Sequence, residues 1–415
     1  MPIDVLVWGA TGYTGKLVAE YLVRRYGVGK SLEWGIAGRS RAKLEAVRAS
    51  LEAIDPHAHE LPLMLGDSGD RKSLEVLARA AKVVASTVGP YAVHGAGLVA
   101  ACVEAGVAYC DITGETPFMR QMIDAHHAHA RETGARIVHA CGFDSVPADL
   151  GTLLMQTYAR ERHGTRCSIV KLFGGEAKGG ISGGTAASLL KVAEEVARDP
   201  RVARVLADPY ALDPEYDGLR EGEREQRGVV WDADIGRWTG PYPFAVVDTR
   251  VVRRTNALLG YSWGKDFRFL EATAFRAGPG GWALAALGSA AVALGMAAVT
   301  VTPFRKELAQ LLPAPGEGPS AEARSGGYFA SRLVGVMGDN GDGKRVHGLV
   351  RGDSDPGYGE TAKMLAESAV CLATDGDAIR KEGGVLTPGA CMGMKLVERL
   401  RAAGMRFEAG ETPPL

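Results

Sequence analysis

Cysteine is scarce in this chain. Six residues in 415 (Cys102, Cys110, Cys141, Cys167, Cys371 and Cys391) are scattered, with no C-x-x-C pair and no finger-like spacing. That pattern excludes a disulfide framework or a zinc module and points to a reduced intracellular protein. An excess of one charge is lacking too: 48 Lys and Arg stand against 49 Asp and Glu, a net charge of -1. With no long basic run, no nucleic-acid partner is expected. No charged leader, apolar stretch and small-residue cleavage site precede the first strand, since MPIDVLVWGATG runs directly into a strand and a turn. The expected location is therefore cytoplasmic. No H-E-x-x-H accompanies His126, His127 and His129, which read as a solvated helix face, so no metal is expected.

What the chain has is length and apolar content, 46% hydrophobic over 415 residues. That exceeds one ordinary core and predicts two domains. Over residues 1–150, short apolar runs (Ile3 to Trp8, Leu32 to Ala37, Leu61 to Leu65, Lys82 to Val88, Val107 to Cys110, Arg136 to Ala140) alternate with helical patterns. Strands apolar almost throughout, separated by helices, define a doubly wound parallel α/β sheet, a Rossmann domain. Residues 151–380 change rhythm and predict an α+β domain with a mainly antiparallel sheet, for substrate binding or dimerisation. Its strands are Cys167 to Phe173, Val229 to Ile235, Phe244 to Val252, Phe267 to Phe275, Tyr328 to Met337 and Arg345 to Arg351. The last two flank GDNGDGK, a hairpin signal. Residues 381–415 are expected to pack back on the Rossmann domain.

Gly9-Ala-Thr-Gly12-Tyr-Thr-Gly15 lies between the first strand and the first helix. Glycine there allows the turn, the approach of a pyrophosphate to the main chain and close helix–strand packing. The helix N-terminus offers N–H groups and partial positive charge. Thr11, Tyr13 and Thr14 complete the loop's contribution. An NAD site places Asp or Glu at the end of the second strand; here that place reads Ala37-Gly38-Arg39-Ser40-Arg41, without an acid. Arg39 and Ser40 suit a 2′-phosphate, with Arg41 and Lys43 in support, so the expected cofactor is NADP(H). Asp67 is placed near the adenine, or else caps the helix that follows. Thr87, Val88, Gly89 and Pro90 are placed along the nicotinamide ribose.

Near these strand ends Tyr91 is a proton-donor candidate or an aromatic wall, and Asp111 and Glu115 are acid–base candidates, or else bind ribose or order the loop. Asp144 reads as a structural hydrogen-bonder. Ser182 and Thr185, in a glycine-rich turn, suit a substrate carbonyl or phosphate, with helix capping as the plainer reading. Ala277 to Phe304 carries no charge, and three readings stand: a buried helix or homodimer interface, a lipid-facing surface at a membrane, or a membrane span.

Together GATGYTG, AGRS, STVGPYAVHG, YCDITGE and GFDSVPADLG resemble the saccharopine dehydrogenase-like oxidoreductases. SGGTAAS, LLPAPGEGPS, DPGYGETAKMLAESA and GGVLTPGACMG are similar to the trans-acting enoyl reductase branch. The resemblance covers nearly the whole chain. It implies NADPH-dependent reduction of an activated C=C bond in a lipid or polyketide-type intermediate. The alternatives are a saccharopine-type amino acid oxidoreductase, for which Arg250, Arg253 and Arg254 are the one tight basic cluster, and a non-catalytic dinucleotide-binding scaffold on lipid.

Overall fold

The computed structural model describes residues 2–180, 183–217, 225–300, 316–338 and 343–414. Among them the strands are β1 (Ile3–Trp8), β2 (Trp34–Gly38), β3 (Leu63–Leu65), β4 (Ala81–Ser86), β5 (Ala108–Asp111), β6 (Arg136–Val138), β7 (Cys167–Lys178), β8 (Val230–Asp232), β9 (Arg237–Pro241), β10 (Arg268–Ala274), β11 (Tyr328–Met337), β12 (Arg345–Gly352), β13 (Gly384–Leu386) and β14 (Arg406–Gly410). They form two seven-stranded sheets, β13-β6-β5-β4-β1-β2-β3 and β14-β12-β11-β7-β10-β9-β8.

Every pairing in the first sheet is parallel. β1 lies at its centre, with Val5, Leu6 and Val7 fully buried. A parallel sheet covered on both faces requires such runs. One face packs helices Tyr13–Tyr26 and Thr361–Thr374 through Val18, Leu22, Met364 and Leu365. The other packs helices Arg71–Ala80, Ala96–Ala105 and Thr116–Thr133 through Leu74, Leu98, Phe118 and Met122. This is the Rossmann arrangement, and the strand order reverses between β1 and β4. In the second sheet β7 pairs with β10 in parallel and every other pairing is antiparallel.

Helix Val146–His163 leaves the end of β6 and packs on β7, β11, β12 and β14. Gln156 fixes it there, donating to the Cys167 carbonyl at 2.8 Å and accepting from the Cys167 N–H at 2.9 Å. Residues 381–415 divide between the sheets: β13 extends the parallel sheet beside β6, and β14 pairs with β12. Buried Glu367 ties helix Tyr13–Tyr26 to the C-terminal helices, accepting from the Tyr21 and Tyr26 hydroxyls at 2.6 and 2.7 Å and from Arg399 Nε at 2.9 Å.

Phe244 to Val252, expected as a strand, lies in helix Ala245–Leu258. Its valines favour a strand locally, but Val247 to Asn256 are all buried, a burial on every side that a helix between two sheets provides. Val229 to Ile235 is strand only at β8, and Arg237–Pro241 pairs antiparallel with it. Pro200–Ala207 is a helix capped by Asp199, which accepts from the Arg201 N–H at 2.8 Å. The GDNGDGK turn lies largely outside the described residues, but the β11–β12 pairing around it is antiparallel. The apolar segment forms helix Pro279–Thr300, and its outer face is not buried within the monomer: Trp282 is 51%, Leu287 68% and Leu294 71% exposed. Residues 301–304 lie outside the described set. No helix among the described residues is long and apolar enough to cross a membrane. All six cysteines are buried thiols.

Candidate active site

The glycine loop joins β1 to helix Tyr13–Tyr26, and two glycines there are irreplaceable for different reasons. Gly9 has φ +89°, a left-handed conformation, and a Cβ on it would sit 2.6 Å from Val88 Cγ2. A Cβ on Gly15 would sit 2.2 Å from the Gly9 carbonyl oxygen and 2.8 Å from Ala10 Cα. The loop hangs on β2 through Gly9 and Ala10 N–H groups donating to the Ala37 carbonyl at 3.0 and 3.2 Å. Helix Tyr13–Tyr26 then opens with Gly12 as its N-cap, no side-chain cap and no acid in the first turn. Thr14, half-buried in that turn, makes no recorded hydrogen bond. An open helix end flanked by glycines is a cradle for a pyrophosphate.

At the end of β2, Gly38 packs against Thr11, and Arg39 stands exposed without an ion pair among the described residues. Ser40 caps the next helix, its oxygen accepting from the Lys43 N–H at 3.4 Å. Asp67 forms a turn, accepting from the Gly69 N–H at 2.8 Å, while Asp70 caps the helix that follows. Thr87 points back into the loop, its hydroxyl 3.2 Å from the Trp8 and Gly9 carbonyls. The donor set fits NADP: glycines where a Cβ would fill the cradle, an uncapped helix end, a free guanidinium and no acid beside it.

The three expected acid–base groups are all occupied by their neighbours. Tyr91 is buried; its hydroxyl donates to the Ser86 carbonyl at 3.0 Å and accepts from the Ile112 N–H at 3.5 Å. Burial, then Asp111, pushes its phenol well above the usual range. Asp111 is fully buried and accepts from the Tyr109 hydroxyl at 2.9 Å and the Thr113 and Ala140 N–H groups at 3.1 and 3.2 Å, with His139 Nδ1 at 2.8 Å. Glu115 caps the short helix Tyr91–His94, accepting from the Tyr91 and Ala92 N–H groups at 2.9 and 2.8 Å and from the Ser188 hydroxyl at 2.7 Å. Burial raises its pKa. These groups shape the Gly89-Pro90 loop.

Three segments of the second half close over this mouth. Helix Gly183–Arg198 brings Ser188 to Glu115, and the Gly183 N–H donates to the Glu317 carbonyl at 3.1 Å. Tyr13 turns toward them: its hydroxyl donates to the Pro319 carbonyl and accepts from Arg324 Nη1 at 2.9 Å, and its ring meets Tyr358 edge-on at 5.1 Å. Thr185 is engaged with the Tyr358 hydroxyl at 2.8 Å. Ser182 lies outside the described residues.

Beyond β6 is a group of residues that their types alone did not bring together. Asp144 and Ser145 follow β6, Asp248 projects from helix Ala245–Leu258, and Glu271 from β10. The Ser145 hydroxyl lies 2.7 Å from the Asp144 carbonyl and 3.3 Å from Asp248 Oδ1, and Asp248 and Glu271 are buried side by side. Burial pushes Asp144 up to about 6 and Glu271 up to about 8. Burial, with Glu271 and Asp144 nearby, holds Asp248 well above the carboxylate range. Tyr242, packed on Gly174, is raised by burial and by the same three carboxyls. Phe143, Phe244 and Phe329 continue the wall, with ring centroids 6.1 Å and 4.9 Å from Phe143. Sequence separations of about a hundred residues hid this cluster; only the Asp–Ser pair after a strand was a local signal.

The arginine cluster faces elsewhere. Buried Arg250 pairs with Glu225 and donates to the Leu206 carbonyl at 2.8 Å. Arg253 donates to the Pro209 carbonyl at 3.0 Å, and Arg254 to the Val385 carbonyl at 3.2 Å. All three stitch residues 206–213 and β13 to helix Ala245–Leu258. His127, at 3.1 Å from Arg254 Nη2, belongs to the same seam.

A parallel sheet with this cradle at its switch point belongs to a dinucleotide-dependent oxidoreductase, and residues 5–138 match the family described as saccharopine dehydrogenase NADP binding domain. The cofactor is NADP(H). The chain belongs to the trans-acting enoyl reductase family: a Mycobacterium tuberculosis protein named for that activity is 40% identical over 98% of this chain and 97% of its own length. A trans-acting enoyl reductase of Mycobacterium leprae is 36% identical over 97% of this chain and 96% of its own. In fold alone, at 12% identity, the chain is similar to saccharopine dehydrogenase (L-Glu forming) of Saccharomyces cerevisiae, with TM-score 0.52 over 98% of this chain and 99% of that one.

Proposed function

We propose that this oxidoreductase reduces an activated C=C bond of an acyl or polyketide-type intermediate, with NADPH as reductant. The observation that carries the reading is the wall at the carboxyl end of the parallel sheet, where Asp144 lies against the Gly114 loop. It consists of aromatic rings and carboxyls raised toward neutrality by burial, and no cation acts on Asp144 or Glu271. An amino acid conjugate brings carboxylates that call for arginine or lysine. The one arginine cluster in the sequence is spent on internal carbonyls and on Glu225. A neutral acyl group meets no such penalty.

Gly9, Gly12, Thr14 and Gly15 would hold the pyrophosphate, Arg39 and Ser40 the 2′-phosphate, and residues 87–90 the nicotinamide ribose. When bound there, NADPH supplies the hydride and leaves as NADP+. The chain's own part is to fix the nicotinamide loop through Glu115 and exclude water with the Gly183–Arg198 and Tyr358 segments. The exposed apolar helix Pro279–Thr300 packs on helix Gly183–Arg198, which supports approach of the acyl chain from a lipid surface.

The test is NADPH oxidation with 2-enoyl thioesters of increasing chain length, against saccharopine-type imines. Turnover with the enoyl series alone supports the proposal. Turnover with imines alone overturns it, and tight NADPH binding without any turnover leaves a scaffold instead.

A further inference from the structure

We infer that Asp144 is the catalytic acid of this reduction, delivering a proton to the acceptor carbon, with the Asp248–Glu271 pair behind it as the proton store. The inference rests on the enoyl reading.

Asp144 stands at the carboxyl end of the parallel sheet, where ligands of this fold bind. Its Oδ2 lies 3.2 Å from where a Cβ on Gly114 would be, against the loop whose next residue, Glu115, holds the Tyr91 and Ala92 N–H groups. Unlike those of Tyr91, Asp111 and Glu115, its side chain makes no hydrogen bond or ion pair among the described residues; only its backbone carbonyl is engaged, accepting from the Ser145 hydroxyl at 2.7 Å. Behind it Ser145 reaches Asp248, and Asp248 meets Glu271. Glu271 is 5% exposed, and its Oε2 is buried without a hydrogen-bond partner. Two neighbouring carboxyls buried this deeply disfavour ionising together, which favours a proton on the pair.

The groups that face Asp144 are Asp248 from helix Ala245–Leu258, Glu271 from β10 and Tyr242 ahead of that helix, while its own shift comes from burial. None is a cation. With its pKa pushed up to about 6 by burial, Asp144 both holds a proton and releases it near neutrality.

The step balances as follows. Addition of hydride to the β-carbon moves the double-bond electron pair onto the α-carbon and its carbonyl. The Asp144 O–H bond breaks, a C–H bond forms at the α-carbon, and Asp144 is left as a carboxylate. One proton from the Asp248–Glu271 pair restores it, and water refills the pair.

The experiment uses the full chain and Asp144→Asn, with Asp144→Glu as the conservative variant. First, the ligand-free proteins are titrated by infrared spectroscopy of their carboxyl groups. The acid titrating near pH 6 should be present in the wild type and missing in D144N. Second, kcat with a 2-enoyl thioester should fall about 100-fold or more in D144N. The KM for NADPH should stay unchanged, and D144E should recover part of kcat. A D144N enzyme keeping more than about a third of wild-type kcat overturns the inference while leaving the enoyl reading intact. An unchanged infrared titration also overturns it. A wild type that turns over no enoyl thioester removes the reading itself and this inference with it.

Discussion

At the carboxyl ends of β1 and β2 the chain leaves polar groups open. Helix Tyr13–Tyr26 begins without a side-chain cap, and Arg39 stands exposed without an ion pair among the described residues. Across the cleft, helix Ala245–Leu258 and β10 do the opposite, enclosing Asp248 and Glu271 at 3% and 5% exposure. The first region has the open donors that a polyanion such as a dinucleotide phosphate would use. The second keeps carboxyls in a place that favours their protonated form. The proposed reduction would use both: positive potential at one end of the cofactor and a proton near the other.

The comparison breaks most decisively at Gly15. In Gly15→Ala the added Cβ must displace the Gly9 carbonyl, 2.2 Å away, so NADPH affinity should fall on the order of 100-fold in a protein whose thermal unfolding remains cooperative. Calorimetric titration measures this; affinity within threefold of wild type would place the cofactor elsewhere.

The closed side is tested by pH. Asp149, fully buried between the Thr255 hydroxyl and the Gly389 N–H at 2.6 Å, has its pKa pushed up to about 7 by burial. That lies above the roughly 3.9 of an unfolded Asp, so the native state holds the proton more tightly. Its contribution is therefore full below about pH 4 and lost as pH rises through about 7, at most about 4 kcal/mol. Asp149→Asn, which imitates the protonated acid, should flatten the fall in Tm between about pH 5 and pH 8. An unaltered slope would mean that Asp149 is ionised throughout.

Arg39→Ala should cost NADPH about tenfold in affinity, about 1.4 kcal/mol, and leave NADH unchanged. Equal losses for both would deny Arg39 the 2′-phosphate. Smallest is Tyr91→Phe. It removes a buried hydroxyl from the Ser86 carbonyl and should destabilise the fold by about 1 kcal/mol while kcat stays within about twofold. A large fall in kcat there would return the proton-donor role to Tyr91 and weaken the case for Asp144.

Much of the first region was legible residue by residue. The glycines of residues 9–15 and the acid-free AGRS stretch each impose a local backbone or charge requirement, readable wherever the chain folds. Asp67 had a helix-cap reading beside the adenine one, but Asp70 is the cap and Asp67 instead forms the preceding turn through the Gly69 N–H. Tyr91, Asp111 and Glu115 were visible as polar residues at strand ends, yet their partners decide their use. The N–H groups of residues 91 and 92 and the side chain of Ser188 claim Glu115 from positions 23 to 73 residues away. Arg250, Arg253 and Arg254 looked like an anion site because three cations lie within five residues. In the fold each points at a separate carbonyl of a distant segment.

The sequence by itself determined the parallel sheet, the dinucleotide loop and the absence of an acid beside Arg39, because periodicity, glycine conformations and local charge act over a few residues. Tertiary structure alone decided that Phe244 to Val252 is helix and that Asp144, Asp248 and Glu271 meet. The physical reason is the same in both: burial against distant elements overrides local strand preference, and the loss of water, which no local pattern encodes, moves a carboxyl's pKa.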